Sequence, residues 1–322
     1  MINFKSRYIR QEIFSKIGKK GQESLLKSRV AVVGLGALGT VSAEMLTRAG
    51  IGKLILIDRD IVDITNLQRQ ALYTEHDIGS AKAYAAERLL KNLNSKLKTK
   101  PYAVFLNWKN IKILNDVDLV LDCTDNLSTR FLINEFCRKK KIPWIFASVL
   151  GSVGMIKVFN QTKNEACFRC MFKKAENLAT CETYGILNTI VRAISAFQVT
   201  EALKLLTKQK PCQDLLRLDI WSQSFDRIKV KKDKKCPVCN NKFEYLAGKN
   251  ESTLRFCSGF WQIMGKFDYD VIKRRLRKVG NVKDCGYYFH FNQLLTVFPD
   301  RVLIKAKTEK EAKSLYSKFI GD

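Results

Sequence analysis

The sequence predicts an α/β protein in which a mostly parallel sheet carries helices on both faces, is extended by antiparallel strands and is followed by a small α+β domain. Three observations lead to this prediction. Short, β-branched apolar runs alternate with stretches of helical periodicity. A glycine-rich turn joins the first apolar run to the first periodic stretch. The pattern changes after a polar, glycine-containing stretch at residues 246–254, which divides the chain into domains of residues 1–249 and 250–322.

The first domain opens with a β-α-β unit, because an apolar run at 28–33, a helical period at 40–49 and a second apolar run at 53–58 follow one another. The elements predicted after it are, in chain order, helix 81–92, strands 100–104 and 119–122, helix 128–140, strands 144–148 and 155–159, helix 188–206, and strands 215–219 and 224–230. Strands that alternate with helices indicate a Rossmann-like parallel sheet, and the last two strands are expected to close it in antiparallel orientation.

The second domain is predicted to contain a helix near each end with short strands before and between them. The predicted elements are strand 255–263, helix 268–279, strands 287–292, 294–298 and 301–306, and helix 309–319. The size and order of these elements indicate a small α+β module, and nothing in its sequence assigns it a role.

Composition excludes several classes of protein. A chain of 322 residues with 46% hydrophobic and 27% charged residues is globular rather than disordered. Its apolar runs all fall short of the roughly 18 residues that would span a bilayer, so a membrane location is not expected. The first residues mix charge with polarity instead of forming the apolar core of a secretory signal. We therefore expect a cytoplasmic protein.

The net charge is strongly positive, with 57 Lys and Arg residues against 31 Asp and Glu residues. Such an excess requires nucleic acid or another acidic partner to be considered. The positive charge is spread fairly evenly, and its short clusters lack the interleaved aromatic residues of a single-strand binding surface. A lysine-rich solvated surface is the favoured interpretation, so nucleic acid binding is not expected, while an acidic protein partner is compatible with this charge.

The glycine-rich turn has the spacing G-x-G-x-x-G, formed by Gly34, Gly36 and Gly39. Between a strand and a helix, this turn lets the backbone approach a phosphate, and the helix N-terminus adds partial positive charge. Asp58 follows Gly39 by 19 residues at the end of the next predicted strand, where a carboxylate can accept hydrogen bonds from ribose hydroxyls. To this point an NAD-dependent dehydrogenase fits as well as an ATP-binding enzyme.

The residues after Asp58 favour a triphosphate. Arg69 offers a planar guanidinium to phosphate oxygens, Asn66 offers a neutral donor, and Lys82 places a positive charge at the start of the next predicted helix. Each of these side chains alone is equally consistent with an ordinary surface residue. Read with Lys82, they predict that the segment from Gly34 to Arg69 forms a nucleotide site suited to ATP.

A candidate ligand for Mg²⁺ follows the predicted strand 119–122. Asp125 lies at the carboxyl edge of the sheet, where ligands bind in open α/β folds. A carboxylate at that place suits Mg²⁺ held jointly with phosphates. The alternative is that Asp125 caps the following helix, although Asn126 or Ser128 offers the same capping oxygen.

Two C-x-x-C pairs, Cys167 with Cys170 and Cys236 with Cys239, predict a structural Zn²⁺ site with four cysteine ligands. A disulfide framework is not expected in a reducing compartment. The pairs are far apart in sequence, so the fold has to bring them together. A redox-active pair is the alternative, but it requires only one C-x-x-C motif and leaves the other unexplained.

These motifs together resemble those of the ThiF/MoeB (HesA/MoeB/ThiF) adenylyltransferases, relatives of the ubiquitin-activating enzymes. The resemblance covers roughly residues 7–245. It rests on the motifs Arg7-Tyr-Ile-Arg10-Gln11, Gly34–Gly39, Asn66-Leu-Gln-Arg69-Gln70, Lys82, Cys123-Thr-Asp125-Asn126, the two cysteine pairs and Thr180-Cys181-Glu-Thr. One departure is Ala37, which stands where a glycine is commoner and is acceptable if its φ is negative.

The resemblance implies a site that holds ATP and Mg²⁺ and that receives the extended Gly-Gly tail of a ubiquitin-like sulfur-carrier protein. By resemblance, Asp58 holds the ribose and Asp125 holds Mg²⁺. Arg10 reaches the triphosphate of the partner subunit, which implies a homodimer with two shared sites. The positions that the resemblance assigns to the nucleotide are Gly34, Gly36, Ala37, Gly39, Asp58, Asp60, Asn66, Leu67, Gln68, Arg69, Gln70, Lys82, Asp125 and Asn126.

The implied reaction needs no general base, because a C-terminal carboxylate has a pKa near ~3.5 and is ionised at neutral pH. Arg10, Arg69, Lys82 and Mg²⁺ would offset the repulsion between this carboxylate and the α-phosphate. The products would be an acyl-adenylate and pyrophosphate, ahead of thiocarboxylate formation for molybdopterin, thiamine or thiolated tRNA, with sulfur from a sulfurtransferase acting in trans. Cys181 is either a covalent thioester or persulfide site or a passive thiol.

Three other hypotheses remain at the level of sequence. The same fold could activate a different carboxylate, such as a peptide C-terminus, or a tRNA base, although the double cysteine pair counts against the tRNA branch. The chain could be a binding scaffold without catalysis, which the presence of Arg10, Arg69, Lys82 and Asp125 makes unattractive. An NAD enzyme is the last, and it would bind NAD more tightly than ATP.

Overall fold

The computed structural model describes residues 7–173, 185–249, 260–265 and 267–321. The chain forms two compact units, residues 1–250 and residues 251–322. The first unit carries the glycine turn and both cysteine pairs. The second unit is described separately below.

The first unit contains helices and strands in alternation, as its sequence pattern predicts. In chain order they are α1 (Ile9–Ile13), α2 (Gly18–Lys27), β1 (Arg29–Val33), α3 (Ala37–Ala49), β2 (Lys53–Ile57), α4 (Lys82–Leu93), β3 (Lys98–Tyr102), β4 (Leu119–Asp122), α5 (Leu127–Lys140), β5 (Trp144–Leu150), β6 (Val153–Phe159), α6 (Phe168–Met171), α7 (Asn188–Leu206), β7 (Leu215–Asp219) and β8 (Ser224–Ile228). Short 3₁₀ turns lie at Ile64–Asn66, Glu75–Asp77, Ile111–Leu114 and Val238–Asn240.

The eight strands form one sheet in the order β3-β2-β1-β4-β5-β6-β7-β8. The first five of these are parallel, and β6, β7 and β8 continue the sheet in antiparallel orientation. The predicted α/β fold with a mostly parallel, antiparallel-extended sheet is confirmed. Strand order reverses at β1, which pairs with β2 on one side and β4 on the other. That reversal opens a crevice at the carboxyl ends of β1 and β4, the usual ligand position in such sheets.

The buried strands and the helices around α5 enclose an aromatic core. Trp144 stacks on Phe159 with ring centroids 4.6 Å apart, and Phe168 meets Phe131 and Phe146 at 5.3 Å and 5.2 Å. Phe168 is fully buried, and its N–H donates to the side-chain oxygen of Asn134 at 3.0 Å. This core fixes the start of α6, which carries the first cysteine pair, against α5.

Several helix and strand boundaries differ from the sequence predictions, for example β3, which spans Lys98–Tyr102 instead of residues 100–104. Helix α3 begins at Ala37 rather than at residue 40, because the turn itself supplies the first helical positions. Helix α5 begins at Leu127, with the side chain of Asn126 accepting from the Thr129 N–H at 2.8 Å. Helices α1 and α2 are not among the elements predicted from the sequence, and α1 has only five residues, none of them buried.

The second unit is a five-stranded antiparallel sheet with two helices. Its elements are β9 (Phe260–Met264), α8 (Tyr269–Arg277), β10 (Val282–Asp284), β11 (Phe289–Phe291), β12 (Leu295–Val297), β13 (Arg301–Lys305) and α9 (Glu309–Phe319), and the strand order is β10-β11-β12-β13-β9. The sequence patterns predict all of these except β10. Its core packs Ile272 and Leu276 of α8 and Ala312 of α9 against one side of the sheet. The first predicted strand extends back to residue 255, and residues 255–259 lie outside the described residues.

Among the described residues, the helices are all too short or too polar to cross a membrane.

Candidate functional site

The candidate site lies at the carboxyl edge of the sheet, where β1, β2 and β4 end in the glycine turn, Asp58 and Asp122. Gly34 has φ +86°, and a Cβ atom there would lie 2.6 Å from the carbonyl oxygen of Cys123 after β4. A Cβ atom on Gly39 would lie 1.8 Å from the Gly34 carbonyl oxygen. Glycine is therefore required at both positions for α3 to start this close to β1 and β4. Ala37 is the first residue of α3 and is absent from the described residues with positive φ, so its methyl group is tolerated.

Asp58 closes the glycine turn onto the end of β2. One of its carboxylate oxygens accepts from the Leu35 N–H at 2.5 Å, and the other accepts from the Asp60 N–H at 2.7 Å. Burial, followed by repulsion from Asp60, raises the pKa of Asp58 to about 6, against the lowering effect of Lys82. The carboxylate is thus held at the turn, ionised at neutral pH, where a ribose is expected.

Lys82 begins α4 and is buried beside Asp60. Its ammonium nitrogen lies 3.5 Å from Oδ2 of Asp60, and its backbone N–H donates to the Asp60 carbonyl at 2.9 Å. Arg59, which the sequence analysis did not single out, places Nε 3.6 Å from Oδ1 of Asp60 and its guanidinium over the ring of Phe105. Two acids, Asp58 and Asp60, and two cations, Arg59 and Lys82, therefore come together at the end of β2, which makes this place a site for a polar, charged ligand.

The segment that carries Asn66, Arg69 and Gln70 folds back onto the glycine turn. Asn66 ends the 3₁₀ turn that Asp63 caps, and Arg69 donates to the Thr65 carbonyl at 2.7 Å. Buried Gln70 points its amide nitrogen at Gly36, 3.9 Å from where a Cβ atom would stand. Leu67 caps the same 3₁₀ turn and is partly buried, and the neighbouring Gln68 is exposed.

Tyr73, another residue missed at the sequence level, joins this segment to the turn. Its hydroxyl donates toward the Leu35 carbonyl at 2.9 Å and the Lys82 carbonyl at 3.2 Å. The Ala71 N–H donates to the Thr40 hydroxyl in the first turn of α3 at 3.1 Å. Residues 66–82 are thus held around the N-terminus of α3.

Asp125 follows β4 on the same edge. Because Asn126 supplies the N-cap of α5, that alternative role is not required of Asp125. The side chain of Asp125 is exposed to solvent. Desolvation by the surrounding protein acts to raise the pKa of Asp125, but attraction by Arg59, Lys82 and Arg130 is stronger, so the pKa is lowered. Asp125 is therefore an ionised carboxylate facing a set of cations.

Arg130 is a further residue that the sequence analysis missed. Its guanidinium donates to the Thr124 carbonyl at 2.5 Å, lies 3.6 Å from Oδ2 of fully buried Asp122 and stacks over Phe146. Arg130 lies one helical turn after Asn126. The sequence feature that could have identified it is an arginine in the first turns of the helix after β4, at the carboxyl edge of the sheet.

Gln198 of α7 holds the end of β4 and the beginning of β5 together, and sequence patterns gave no sign of it. Its amide nitrogen donates to the carbonyls of Asp122 and Ile145, each at 3.2 Å. Its amide oxygen accepts from the Ser42 hydroxyl at 2.9 Å and the Cys123 thiol at 3.4 Å. A fully buried amide with all four hydrogen bonds made fixes α3, α7 and two strand ends relative to one another.

Arg10 does not lie at this edge within its own chain. It is exposed on α1, and its neighbour Gln11 donates to the carbonyl of Ala49 at the C-terminus of α3, at 2.9 Å. The glycine turn is at the other end of α3, about 18 Å away for a helix of this length. Of the predicted phosphate-binding residues, Arg10 is the one that the fold places away from the others.

The four cysteines of the two C-x-x-C pairs come together. Their sulfur atoms all lie within 4.8 Å of one another, with Cys167 3.9 Å from Cys170 and 3.6 Å from Cys236, and Cys170 3.7 Å from Cys239. A tetrahedral Zn²⁺ with Zn–S bonds of about 2.3 Å requires sulfur atoms about 3.8 Å apart, so the donor set fits zinc. The Asp233 N–H points at the Cys170 sulfur at 3.5 Å, as donors to metal-bound thiolates do.

Comparisons with known proteins identify the family of the chain. The family model described as ThiF family matches residues 8–238. The chain belongs to the ThiF family. The sequence-level prediction of membership is confirmed, and so is the wider assignment to adenylyltransferases, because the similar curated proteins carry that name.

Two curated ThiF-family relatives and one solved structure illustrate the similarity. A sulfur carrier protein ThiS adenylyltransferase from Bacillus subtilis is 35% identical over 98% of this chain and 99% of its own length. A molybdopterin-synthase adenylyltransferase from Salmonella typhimurium is 35% identical over 72% of this chain and 95% of its own. The crystal structure of E. coli MccB with ATP aligns with a TM-score of 0.65 at 20% identity, covering 73% of this chain and 74% of that chain, and so supports the fold.

The Bacillus subtilis relative matches both units of this ThiF-family chain, including the second one.

Cys181, the candidate covalent residue, lies outside the described residues. Gly185, four positions later, accepts from the Gly151 N–H at 3.0 Å, and Leu187 donates back to Gly151 at 3.0 Å. Gly185 and Leu187 therefore join the β5–β6 turn at the carboxyl edge of the sheet.

Proposed function

We propose that this chain adenylylates the C-terminal glycine carboxylate of a ubiquitin-like sulfur-carrier protein with ATP and Mg²⁺, giving an acyl-adenylate and pyrophosphate. One observation carries the proposal: within a ThiF-family fold, the glycine turn, Asp58, Lys82 and Asp125 converge on one edge of the sheet. The names of the similar proteins support the same reaction, and the alternatives of another carboxylate, a tRNA base or a scaffold are not favoured by them.

The nucleotide would lie across the ends of β1 and β2. The backbone of Gly34–Gly39 and the N-terminus of α3 would receive the phosphates, which suits a helix end that has free N–H groups and partial positive charge. Ionised Asp58 would accept hydrogen bonds from the ribose. Lys82 and Arg69 would contribute positive charge, and Asn66 and Gln70 would contribute amide donors.

Asp125 would hold Mg²⁺ jointly with the phosphates, since a low pKa keeps its carboxylate free of a proton at neutral pH. A bound Mg²⁺ would supply neutralisation of the phosphate charge. Arg130, Arg59 and Lys82 keep the ionised form of Asp125 favourable before any cation arrives.

The reaction itself requires positioning and charge compensation. A carboxylate oxygen of the carrier forms a bond to the α-phosphorus, the bond from that phosphorus to the bridging oxygen breaks, and pyrophosphate leaves with its electron pair. No proton moves in this step, so the scarcity of histidine is no obstacle. The protein's contribution is to hold the carrier carboxylate in line with the α-phosphate and to compensate the repulsion between these two anions with Lys82, Arg69 and Arg10 of the partner subunit.

A homodimer would complete the site. Arg10 is too far from its own glycine turn to contact the phosphates there, so it would serve the site of a second copy. Ile9, Ile13 and Phe14 around it are exposed, with Ile13 at 66% and Phe14 at 56%. Apolar residues that surround a functional arginine are well suited to a subunit interface.

The four cysteines would hold Zn²⁺ in a structural role, because all positions of the tetrahedron are taken by sulfur and none is open for chemistry. The sulfur for a thiocarboxylate would come from a sulfurtransferase acting in trans.

The test is ATP–pyrophosphate exchange measured with each Gly-Gly-ending ubiquitin-like protein encoded in the same genome. Exchange is expected with one of these carriers and not without it. Asp125→Ala should reduce exchange by about 10²–10³-fold, the usual cost of removing one group that stabilises developing charge. Exchange by Asp125→Ala at the wild-type rate would exclude the metal role of Asp125, and NAD binding tighter than ATP binding would exclude the proposed nucleotide.

A further inference from the structure

Helices α3 and α4 both begin at the candidate nucleotide site, and both end at the N-terminal segment that carries Arg10. Ala49 and Leu93 are the last residues of the two helices. Gln11 donates to the Ala49 carbonyl at 2.9 Å, and Arg7 donates to the Leu93 carbonyl at 2.9 Å. Side-chain donors at the C-terminus of a helix satisfy carbonyl groups that have no partner within the helix. The N-terminal segment is therefore fastened to the ends of both helices.

Hydrogen bonds, rather than apolar packing, hold α1 in place. The helix has five residues, none of them buried, and a helix of that length is not stable on its own. The amide nitrogen of Gln11 donates to Oε1 of Gln22 at 2.6 Å as well as to the Ala49 carbonyl. Gln22 lies on α2, is buried and donates to the same carbonyl at 3.1 Å. One carbonyl group at the end of α3 thus joins three helices.

Tyr8 adds a second point of attachment, one turn before Gln11. Its hydroxyl accepts from the side-chain amide of buried Asn94, just after α4, at 3.0 Å. Its ring covers Gly50, the left-handed residue that ends α3, so closely that a Cβ atom on Gly50 would lie 2.7 Å from two ring carbons. We call Tyr8, Gln11, Gln22 and Asn94 the α1 anchor.

The α1 anchor determines which face of α1 is presented to solvent. Tyr8 and Gln11 are one helical turn apart and partly buried, whereas Ile9, Arg10 and Ile13 are exposed. Positions 9, 10 and 13 lie on one face, because residues three and four apart are neighbours on a helix. The anchor thus leaves Arg10 on an exposed face with two apolar neighbours, at the far ends of α3 and α4 from the site of its own subunit.

We infer that Gln11 and Tyr8 are positioning residues, which act by holding Arg10 where it reaches the triphosphate bound in the partner subunit. This inference rests on the proposed function, in which Arg10 completes the site of a second copy. An arginine on an unanchored five-residue helix would sample many orientations, and charge compensation requires a fixed one. The anchor fixes Arg10 relative to the same two helices whose first residues belong to the site of its own subunit.

Gln11→Leu is the decisive variant, since leucine has a similar volume and donates no hydrogen bond. It should lower kcat/KM for ATP in carrier-dependent pyrophosphate exchange by about 10–100-fold, because a displacement of about 1 Å in a positioned group can cost about 100-fold. KM for the carrier should stay at the wild-type value, because Arg10 is expected to contact the triphosphate. Tyr8→Phe, which removes only the hydroxyl and keeps the ring over Gly50, should cause a smaller loss in the same direction.

Ser24→Ala is the matched control. It also removes one side-chain hydrogen bond to a backbone carbonyl, from Ser24 to Lys20 at 3.1 Å, but this bond lies within α2 and outside the α1 anchor. Its exchange kinetics should equal those of the wild type. Thermal melting verifies folding of all variants. In Gln11→Leu the Ala49 carbonyl keeps Gln22 as a donor, so the variant is expected to fold.

A double-mutant cycle with Arg10→Ala separates positioning from general support of the fold. If Gln11 acts through Arg10, Gln11→Leu should cause no further loss of exchange or of ATP affinity in a chain that already carries Arg10→Ala. Losses that multiply would overturn the inference, since Gln11 would then act without Arg10. Equal exchange by Gln11→Leu and the wild type would overturn it as well.

Mixed dimers test whether the positioning acts between subunits. One subunit carries Gln11→Leu and the other Asp125→Ala, and two different affinity tags select the mixed dimer. It should show about half of the wild-type exchange, because the Gln11→Leu subunit keeps an intact site and receives a well-placed Arg10 from its partner, whereas the second site is disabled. Exchange no higher than that of the two parent variants, or the absence of any dimer, would contradict positioning between subunits.

Binding of ATP and of adenosine, measured by calorimetry, keeps this inference distinct from the proposed function. Arg10→Ala and Gln11→Leu should both weaken the binding of ATP and leave the binding of adenosine, which has no phosphate, unchanged. This pattern supports the placement of Arg10 by Gln11 even if no carrier gives exchange, in which case the proposed function alone is wrong. Exchange and ATP binding that are lost in Arg10→Ala but normal in Gln11→Leu would leave the proposed function standing and overturn the inference alone.

Discussion

The ammonium nitrogen of Lys82 lies 3.5 Å from a carboxylate oxygen of Asp60, whose own N–H donates to Asp58 at 2.7 Å. Asp60 therefore acts on Asp58 in two opposed ways: its negative charge raises the pKa of Asp58, and its N–H lowers it. Lys82 also lowers the pKa of Asp58 and that of Asp125. The buried cation Lys82 thus favours the ionised form of both Asp58 and Asp125, which are expected to bind different parts of the nucleotide.

Lys82→Met should reduce kcat/KM for ATP by about 10²–10³-fold, because it removes a positioned cation from the phosphate site. It should also raise the pKa of Asp58 above its wild-type value, since one of the effects that lower it is lost. Steady-state exchange kinetics check the first expectation. Lys91→Met, a replacement of an exposed lysine in the same helix, is the control and should match the wild type. Equal kinetics for the two variants would contradict the role of Lys82.

Asp58 should make stability depend on pH in an identifiable window. Its pKa is about 6 in the folded chain and about 3.8 as a model value, so the folded state binds the extra proton between these values. The stability that Asp58 contributes is complete below about pH 4 and is lost as pH rises through 6. The melting temperature of the wild type minus that of Asp58→Asn should therefore fall between pH 4 and pH 7. A constant difference would show that Asp58 has an ordinary pKa.

Adenosine binding should change in the opposite direction, because the ionised carboxylate is the form that accepts hydrogen bonds from the ribose. Affinity should rise as pH increases through 6 in the wild type and stay flat in Asp58→Asn. Adenosine serves as the probe in calorimetry because it has no phosphate that titrates in this range. Parallel pH profiles for the two proteins would argue against Asp58 as the ribose acceptor.

Gly34 and Gly36 should respond differently to alanine. Gly34→Ala places a methyl group 2.6 Å from a backbone carbonyl at φ +86°, so it should lower the free energy of unfolding by more than about 1 kcal/mol or prevent folding. At Gly36 the nearest atom to a new Cβ is the Gln70 amide nitrogen at 3.9 Å, so Gly36→Ala should fold normally. Its methyl group would intrude on the phosphate position, and KM for ATP should rise. Urea unfolding and exchange kinetics measure the two effects, and similar unfolding curves for both variants would contradict the geometry.

Sequence patterns predicted the sheet, the glycine turn and the cysteine cluster because the strands, the turn and each C-x-x-C pair have a recognisable local spacing. The residues that support the site could not be found in this way. Gln198 is one polar residue on an otherwise ordinary helix, and its value comes from four hydrogen bonds to α3, β4 and β5 that only the folded chain creates. Arg130 and Tyr73 likewise depend on tertiary contacts. The position of Arg10 away from its own turn follows from how α1 packs on α3, which its five residues do not reveal.

The cysteine cluster should hold one zinc ion per chain, since four sulfur atoms close the tetrahedron. Cys239→Ser should lower the zinc content measured in freshly purified, reduced protein and reduce the melting temperature, because the cluster joins the chain after β6 to the chain after β8. The pyrophosphate exchange of the folded fraction should persist, because Asp125 and Lys82 lie at the carboxyl edge, on other elements. Cys212→Ser, a replacement of a partly buried thiol outside the cluster, should retain the wild-type zinc content. Full zinc in Cys239→Ser, or none in the wild type, would remove the metal assignment and leave the four thiols as a packed cluster between the two segments.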